Sequence, residues 1–160
     1  DKKIKAISVL AERAGFDGMI GGQVLDLGFE KSTPNAEQIT KMYMMKTGAL
    51  LSASAEIGVI LGGGSEQDLQ NAVDYALNLG LVFQIIDDIL DITGDEKLLG
   101  KPIGSDADNN KTTLVSILGL ENAKTLADEL TARSLNCLSL FKGDTAFLEE
   151  LTKFLLNRNY

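Results

Sequence analysis

Three aspartates lie close together in an otherwise apolar stretch of the sequence. Asp87, Asp88 and Asp91 fall within the segment FQIIDDILD, residues 83–91. Residues three or four apart share one face of an α-helix, so Asp87 and Asp91 should point the same way. Crowded carboxylates repel one another unless a cation neutralises them. Oxygen ligands with open positions left over suit Mg²⁺, whose shell is completed by substrate phosphates. The spacing therefore predicts a magnesium site.

A solvated acidic helix face is the alternative interpretation of these aspartates. The neighbouring residues argue against it, because they form the apolar pattern of a core helix rather than a surface one. They are Leu79, Leu81, Val82, Phe83, Ile85, Ile86, Ile89, Leu90 and Ile92. A core helix does not carry three unpaired acids, so the segment favours a binding site.

Glycines raise two further questions. Lys46-Thr47-Gly48 is expected inside a helix, where glycine costs about 1 kcal/mol relative to alanine and usually permits close approach of a backbone or a ligand. Close helix packing and ligand binding both remain open there, and also at Gly21-Gly22, which precedes Gln23 and Asp26 on one face. The run 62–64 lacks the strand and lysine of a phosphate-binding loop, so it is interpreted as a helix end.

A polar segment follows the aspartates. Residues 93–110 are rich in Gly, Asp, Lys and Asn and are interpreted as a functional loop. Lys101, Asp106, Asp108 and Lys111 lie in or just after it, and the lysines could hold phosphates that a metal does not reach. A charged surface loop would have the same composition, so both interpretations stay open.

Composition limits the classes of function. With 160 residues the chain is one domain or part of a larger one, and its net charge of −8 disfavours a nucleic-acid surface. The absence of histidine excludes Ser-His, Cys-His and histidine-zinc chemistry. The single cysteine, Cys137, fits a reducing cytosol, and no apolar run approaches the ~18–20 residues of a membrane span. We expect a cytoplasmic, soluble protein without a membrane span.

The whole chain is predicted to be helical. Prolines occur only at positions 34 and 102, both in loop-like surroundings. Ser65 with Asp68 indicates the start of a long helix that ends near Asp91. The predicted helices are residues 2–14, 18–27, 36–61, 66–91, 112–118, 121–141 and 144–157.

Taken together, these motifs resemble those of the trans-isoprenyl diphosphate synthases, most closely the bacterial farnesyl diphosphate synthases. The matching segments, in order along essentially the whole chain, are GGQVLDL (21–27), KTGAL (46–50), FQ (83–84), DDILD (87–91), Gly100-Lys101 and Asn110-Lys111. The resemblance implies an all-α, orthogonal helical bundle of the isoprenoid synthase type around a deep cavity. Residues 1–160 then form the C-terminal part of a single polyprenyl synthetase domain.

The resemblance also implies roles for individual residues. It assigns Mg²⁺ binding to three aspartates, with the first as the main ligand. It assigns allylic diphosphate binding to a lysine, stabilisation of the carbocation to a threonine and a glutamine, and lining of the cavity to a phenylalanine. The residues are, for metal, Asp87, Asp88 and Asp91; for catalysis, Lys46, Thr47, Gln84 and Asp87; and for substrate, Lys46, Thr47, Phe83, Gln84, Lys101 and Lys111.

The implied reaction condenses isopentenyl diphosphate with dimethylallyl or geranyl diphosphate to give farnesyl diphosphate, in a homodimeric enzyme. The family's first aspartate-rich motif would lie upstream of Asp1, so the isolated chain is expected to be inactive. The alternatives are a non-catalytic subunit of a two-component prenyl synthase, against which the three aspartates argue, and a class I terpene cyclase, whose Asn/Ser/Glu metal triad is not found. A purely structural helical module would leave the buried acids unexplained.

Overall fold

The computed structural model describes residues 1–94, residue 104 and residues 111–158. Within these ranges every regular element is helical, which confirms the predicted fold class. The helices are α1 (Lys2–Ala14), α2 (Met19–Phe29), α3 (Ala36–Tyr43), α4 (Ala49–Gly62), α5 (Glu66–Thr93), α6 (Leu114–Leu118), α7 (Leu120–Ser139) and α8 (Ala146–Asn157). α1 has the predicted bounds, and the other helix ends lie within about two residues of the predictions.

The predicted helix 36–61 differs from the structure in one respect. Between α3 and α4 the chain forms a π-helical turn, Met44–Gly48, which we call the π segment. The helix axis continues through the π segment, but its backbone hydrogen bonds join residues five apart instead of four. Such turns are rare and often occur at functional sites. The π segment contains Lys46 and Thr47, two of the predicted site residues.

Capping side chains set the start of α5. Ser65 Oγ accepts a hydrogen bond from the Asp68 backbone N–H at 3.2 Å, and the Ser65 N–H donates to Asp68 Oδ2 at 2.8 Å. This reciprocal pair is the capping box that the sequence predicted. Hydrogen bonds from the Ser65 backbone and hydroxyl lower the pKa of Asp68. The cap fixes the start of the helix that carries the three aspartates.

α5 is the central helix of the described structure. It contacts the π segment and, among the helices, α3, α4, α6, α7 and α8. Val82 and Ile85 are fully buried, and a continuous apolar cluster surrounds them that includes Ile39, Met42, Tyr43, Leu81, Ile86, Ile89, Leu90, Leu114, Val115 and Leu130. Because neighbours cover α5 on several sides, the prediction of a core helix is confirmed.

α1 and α2 differ from α5, because large apolar side chains of both helices face solvent. These side chains are Ile4, Ile7, Leu10, Ile20, Val24 and Leu27. Exposed apolar side chains that lie together are typical of a surface that contacts other protein.

One helical stretch of the described residues, Ala36–Gly62, is long and apolar enough to cross a membrane by length and composition. Its most apolar window has a mean hydropathy of 1.3 and is 28 % buried. The core helix of a globular protein has the same length and composition, so a single stretch of this kind is weak evidence for a membrane span. From the sequence, no apolar run was predicted to approach the length of a membrane span.

Candidate active site

The acidic end of α5, residues 83–91, is buried except for a strip of three partly exposed residues, Phe83, Gln84 and Asp87, which we call the opening. From Leu81 to Asp91 the only partly exposed residues are Phe83, Gln84 and Asp87. Positions 83, 84 and 87 adjoin on one helix face. All three are predicted site residues, so the opening in the core helix coincides with the predicted substrate face.

The three aspartates do not share one environment. Asp87 has a side chain that is 41 % exposed, whereas the residues Asp88 and Asp91 are only 6 % and 3 % exposed. The Tyr43 hydroxyl, on α3, donates a 2.6 Å hydrogen bond to Asp88 Oδ2. Asp88 therefore anchors α3 to α5 from within the core, and Asp87 is the aspartate that reaches the surface.

Asp87 forms an ion pair with Arg158, the residue that follows α8. The Arg158 guanidinium donates to Asp87 Oδ1 through Nη2, and Nη2 also donates to the Phe83 carbonyl at 3.0 Å. The same guanidinium lies over the Phe83 ring, 4.2 Å from its centroid. These contacts place a fixed positive charge beside the most accessible aspartate.

The donor set of this end of α5 suits a hard divalent cation. Asp87 and Asp91 offer carboxylate oxygens, the ligands that Mg²⁺ prefers. In the described part of the chain, no group of three or more acidic, histidine or cysteine side chains converges to hold a metal ion. Mg²⁺ needs few protein ligands, because phosphates or water can complete its shell. The carboxylate of Asp87 is at present paired with Arg158.

Lys46 is fixed by a second ion pair. Its Nζ lies 2.5 Å from Asp26 Oδ2 on α2, and the two side chains are 29 % and 21 % exposed. Lys46 belongs to the π segment, and Asp26 lies 20 residues earlier in the sequence. The contact connects two of the motifs singled out in the sequence.

Glycines allow α2, the π segment and α5 to approach this closely. A Cβ at Gly22 would lie 2.3 Å from the Lys46 backbone nitrogen, and a Cβ at Gly80 would lie 2.8 Å from Gly48 Cα. No side chain fits at either distance. Of the two interpretations left open for these glycines, the structure shows close backbone packing, and this packing carries Lys46 to Asp26.

The remaining predicted residues are only partly covered by the structure. Thr47 is half-buried in the π segment, and Lys111 lines a cavity of about 620 Å³ that Asp26 also borders. The Gly104 backbone N–H donates a 2.7 Å hydrogen bond to the Asp91 carbonyl, so Gly104 lies against the acidic end of α5. Lys101, Asp106 and Asp108 lie outside the described residues.

Comparison with known proteins identifies the family. The family model for polyprenyl synthetase matches residues 2–140. The chain belongs to the polyprenyl synthetase family. Among curated members of the family, geranylgeranyl diphosphate synthase of Cyanophora paradoxa is 38 % identical over 99 % of this chain and 53 % of its own length. Geranylgeranyl pyrophosphate synthase 4 of Arabidopsis thaliana is 36 % identical over 99 % of this chain and 44 % of its own length.

Solved structures of the family show the same fold. An FPP/GFPP synthase of Zymomonas mobilis superposes with a TM-score of 0.83 at 33 % identity, covering 96 % of this chain and 51 % of that one. A geranyltransferase of Helicobacter pylori, complexed with magnesium and isoprenyl diphosphate, gives 0.79 at 36 % identity, covering 98 % and 51 %. The all-α isoprenoid synthase fold is confirmed. The chain spans about half the length of these relatives, and its assignment to the C-terminal part of one polyprenyl synthetase domain stays a prediction.

Two residues of the site were missed as site residues from the sequence. Asp26 was noted only for sharing a helix face with Gln23, and Arg158 was not among the predicted site residues. The ion pairs join residues 20 and 71 positions apart. The available signal was the opposite charge of the residues in each pair. Which residues pair depends on the three-dimensional fold, so the pairs could not be predicted from the sequence.

Proposed function

We propose that the protein containing this chain is a Mg²⁺-dependent prenyltransferase that joins isopentenyl diphosphate to an allylic diphosphate. The observation that carries the proposal is the opening in the core helix at Phe83, Gln84 and Asp87. An accessible carboxylate, an amide and an aromatic ring on one face suit a substrate with a charged diphosphate and an apolar chain. Membership of the polyprenyl synthetase family supports the same reaction class.

Each group of residues has a role in this proposal. Asp87 is the main ligand of Mg²⁺, with Asp91 and Asp88 as the further proposed ligands. Bound Mg²⁺ would supply the positive charge that stabilises the departing diphosphate. Lys46 binds the allylic diphosphate, and Lys101 and Lys111 bind diphosphate oxygens from the following loop.

The allylic cation requires a different environment from the diphosphate. The Thr47 and Gln84 oxygens face the cation with their dipoles, and neither group is a strong nucleophile. Phe83 lines the cavity and helps to exclude water, which would otherwise capture the cation. Attack by the isopentenyl double bond and loss of a proton complete the condensation.

Farnesyl diphosphate is the product that we propose. The Cyanophora and Arabidopsis relatives are named as geranylgeranyl diphosphate synthases, so the assay must separate products by chain length. The full-length gene product should incorporate labelled isopentenyl diphosphate in the presence of Mg²⁺ with dimethylallyl or geranyl diphosphate. Chromatography should show a C15 product. A dominant C20 product would replace the farnesyl assignment and leave the reaction class intact.

A matched pair of variants tests the metal ligand in the same assay. Asp87→Asn should lower kcat by about two orders of magnitude or more, because a ligand of the leaving-group metal is lost. Asp128→Asn, on the exposed face of α7, removes the same charge and should leave turnover unchanged. Equal rates for the two variants would refute the assignment of Asp87.

We further propose that the protein is a cytoplasmic homodimer. The exposed apolar side chains of α1 and α2 supply surface for contact with other protein, either the rest of the domain or a second copy, and the mass of the full-length protein separates the two. Light scattering should give twice the monomer mass for the full-length protein, and Ile7→Glu should shift it towards the monomer. A monomeric wild-type protein would refute this part of the proposal.

A further inference from the structure

Arg158 is held against α5 by three different kinds of contact. It forms an ion pair with Asp87, donates to the Phe83 carbonyl and stacks on the Phe83 ring. Its side chain is only 11 % exposed, and within the described residues its Nε has no hydrogen-bond partner. A guanidinium placed in this way has lost most of its water. Asp87 is therefore the main group that neutralises the positive charge of Arg158.

Asp87 is paired with Arg158 but stays partly accessible. Arg158 approaches Oδ1 through a single nitrogen, while the aspartate side chain remains 41 % exposed. A divalent cation at Asp87 would lie within a few ångströms of the guanidinium. Like charges that close repel strongly where solvent is largely excluded. The two cations therefore compete for the same carboxylate.

We propose that Arg158 is a built-in counter-ion that occupies Asp87 until a divalent cation displaces it. Metal binding then requires release of Arg158, the residue after α8, from α5, so the position of Arg158 reports whether the metal site is occupied. The inference rests on the proposed function in requiring that Asp87 binds a divalent cation. It assigns to Arg158 a role in regulating that site, not in the chemical step.

The competition predicts that removing the guanidinium strengthens metal binding. Mn²⁺ binding to the full-length protein can be measured by electron paramagnetic resonance, with the metal alone and with inorganic diphosphate. Arg158→Gln should bind Mn²⁺ about tenfold more tightly than wild type, as expected for loss of a competing charge-assisted contact. Arg158→Lys keeps the charge and should lie between the two.

A second arginine gives a matched control for the change in net charge. Arg133 on α7 is 64 % exposed and pairs with Glu129 at 3.6 Å. Arg133→Gln should leave Mn²⁺ affinity within about twofold of wild type, because exposed pairs and distant charges are screened. An equal gain in both variants would show a general charge effect and overturn the proposal.

The displacement itself can be followed in the wild-type protein. The Arg158 Nε–H signal in a nitrogen–proton correlation spectrum can be assigned by its absence from Arg158→Gln. Addition of Mg²⁺ should move this signal to the position and exchange rate of a solvated arginine. In Asp87→Asn the signal should already be at that position without metal. An unchanged signal at saturating Mg²⁺ would overturn the proposal.

The outcomes separate this inference from the proposed function. If Asp87→Asn loses Mn²⁺ binding while Arg158→Gln binds no more tightly than wild type, the metal site stands and the counter-ion role is refuted. Weaker binding in Arg158→Gln would show that Arg158 orients Asp87 for the metal, and it would also overturn the competition. If Asp87→Asn binds Mn²⁺ as well as wild type, the metal assignment itself fails.

Discussion

The π segment and the acidic end of α5 hold their charged side chains in different ways. Lys46 reaches Asp26 because the backbones around it are in close contact, with glycines at positions 22, 48 and 80. Asp87 is instead held by a single arginine at the end of α8. In the first arrangement the backbones are packed together and cannot shift without moving helices, while the Lys46 and Asp26 side chains stay partly exposed. The second involves one long side chain, which can leave without disturbing the core.

This difference matches the two roles that we propose. A lysine that binds a diphosphate gains from being fixed before the substrate arrives, because orienting it later costs entropy. A metal ligand must exchange one cation for another on each binding event. The comparison indicates that substitutions around Lys46 should act through stability and positioning, whereas substitutions at Asp87 and Arg158 should act through metal affinity.

Gly22→Ala tests the rigid region and should have the largest effect on stability. The added methyl group would meet the Lys46 backbone at 2.3 Å, so α2 and the π segment must separate. We expect a loss of about 3 kcal/mol in the free energy of unfolding, at the upper end for overpacking because the atoms met are backbone. Chemical denaturation monitored by circular dichroism measures it.

Gly28→Ala is the matched control for that substitution. Gly28 lies in the same helix, and an added Cβ would have no atom within 4 Å. Because alanine favours a helix by about 1 kcal/mol over glycine, this variant should be slightly more stable than wild type. A similar loss in both variants would refute the close approach at Gly22.

Tyr43→Phe tests whether the buried aspartate belongs to the core. Removing the hydroxyl takes a hydrogen bond from the buried Asp88 carboxylate. The expected cost is about 2 kcal/mol, typical of a hydrogen bond to a charged group. Mn²⁺ affinity should change much less than in Asp87→Asn. A large loss of metal affinity with little loss of stability would make Asp88 a main metal ligand, equal to Asp87, and not chiefly a core anchor.

Asp26→Asn tests the positioning of Lys46 and should have the smallest effect on stability. The pair is partly exposed, so we expect a loss of about 1 kcal/mol or less. The KM for the allylic diphosphate should change more than kcat, because the lysine is still present but less well oriented. Asp128→Asn, exposed on α7, makes the same change of side chain and is the control. No difference between the two variants in KM would refute the positioning role.

Local patterns in the sequence were enough to predict most of the helices. The capping pair Ser65 and Asp68 and the apolar run around the aspartates indicated α5 directly, since both signals act within one or two turns. The π segment was not predictable, because its close contacts come from Gly22 and Gly80, far away in the sequence. Helix spacing placed Asp87 and Asp91 on one face, but their different burial depends on which elements cover each turn.

The family motifs indicated the site residues better than they indicated the contacts between those residues. Phe83, Gln84 and Asp87 lie together at one opening, as the motif spacing implies. The partners Asp26 and Arg158 could not be assigned, because an ion pair between distant segments depends on the path of the intervening helices. The sequence therefore indicated the residues that we propose to bind substrate and metal, but it did not indicate the residues that pair with them.

Crystals of the full-length protein grown with Mn²⁺ and inorganic diphosphate would test the central claim most directly. The account predicts an anomalous peak about 2.0–2.2 Å from an Asp87 carboxylate oxygen, with diphosphate oxygens completing the metal shell. The Arg158 guanidinium should have left Asp87 in that structure. Manganese and diphosphate bound without Asp87 as a ligand, with the Arg158 ion pair still in place, would contradict it.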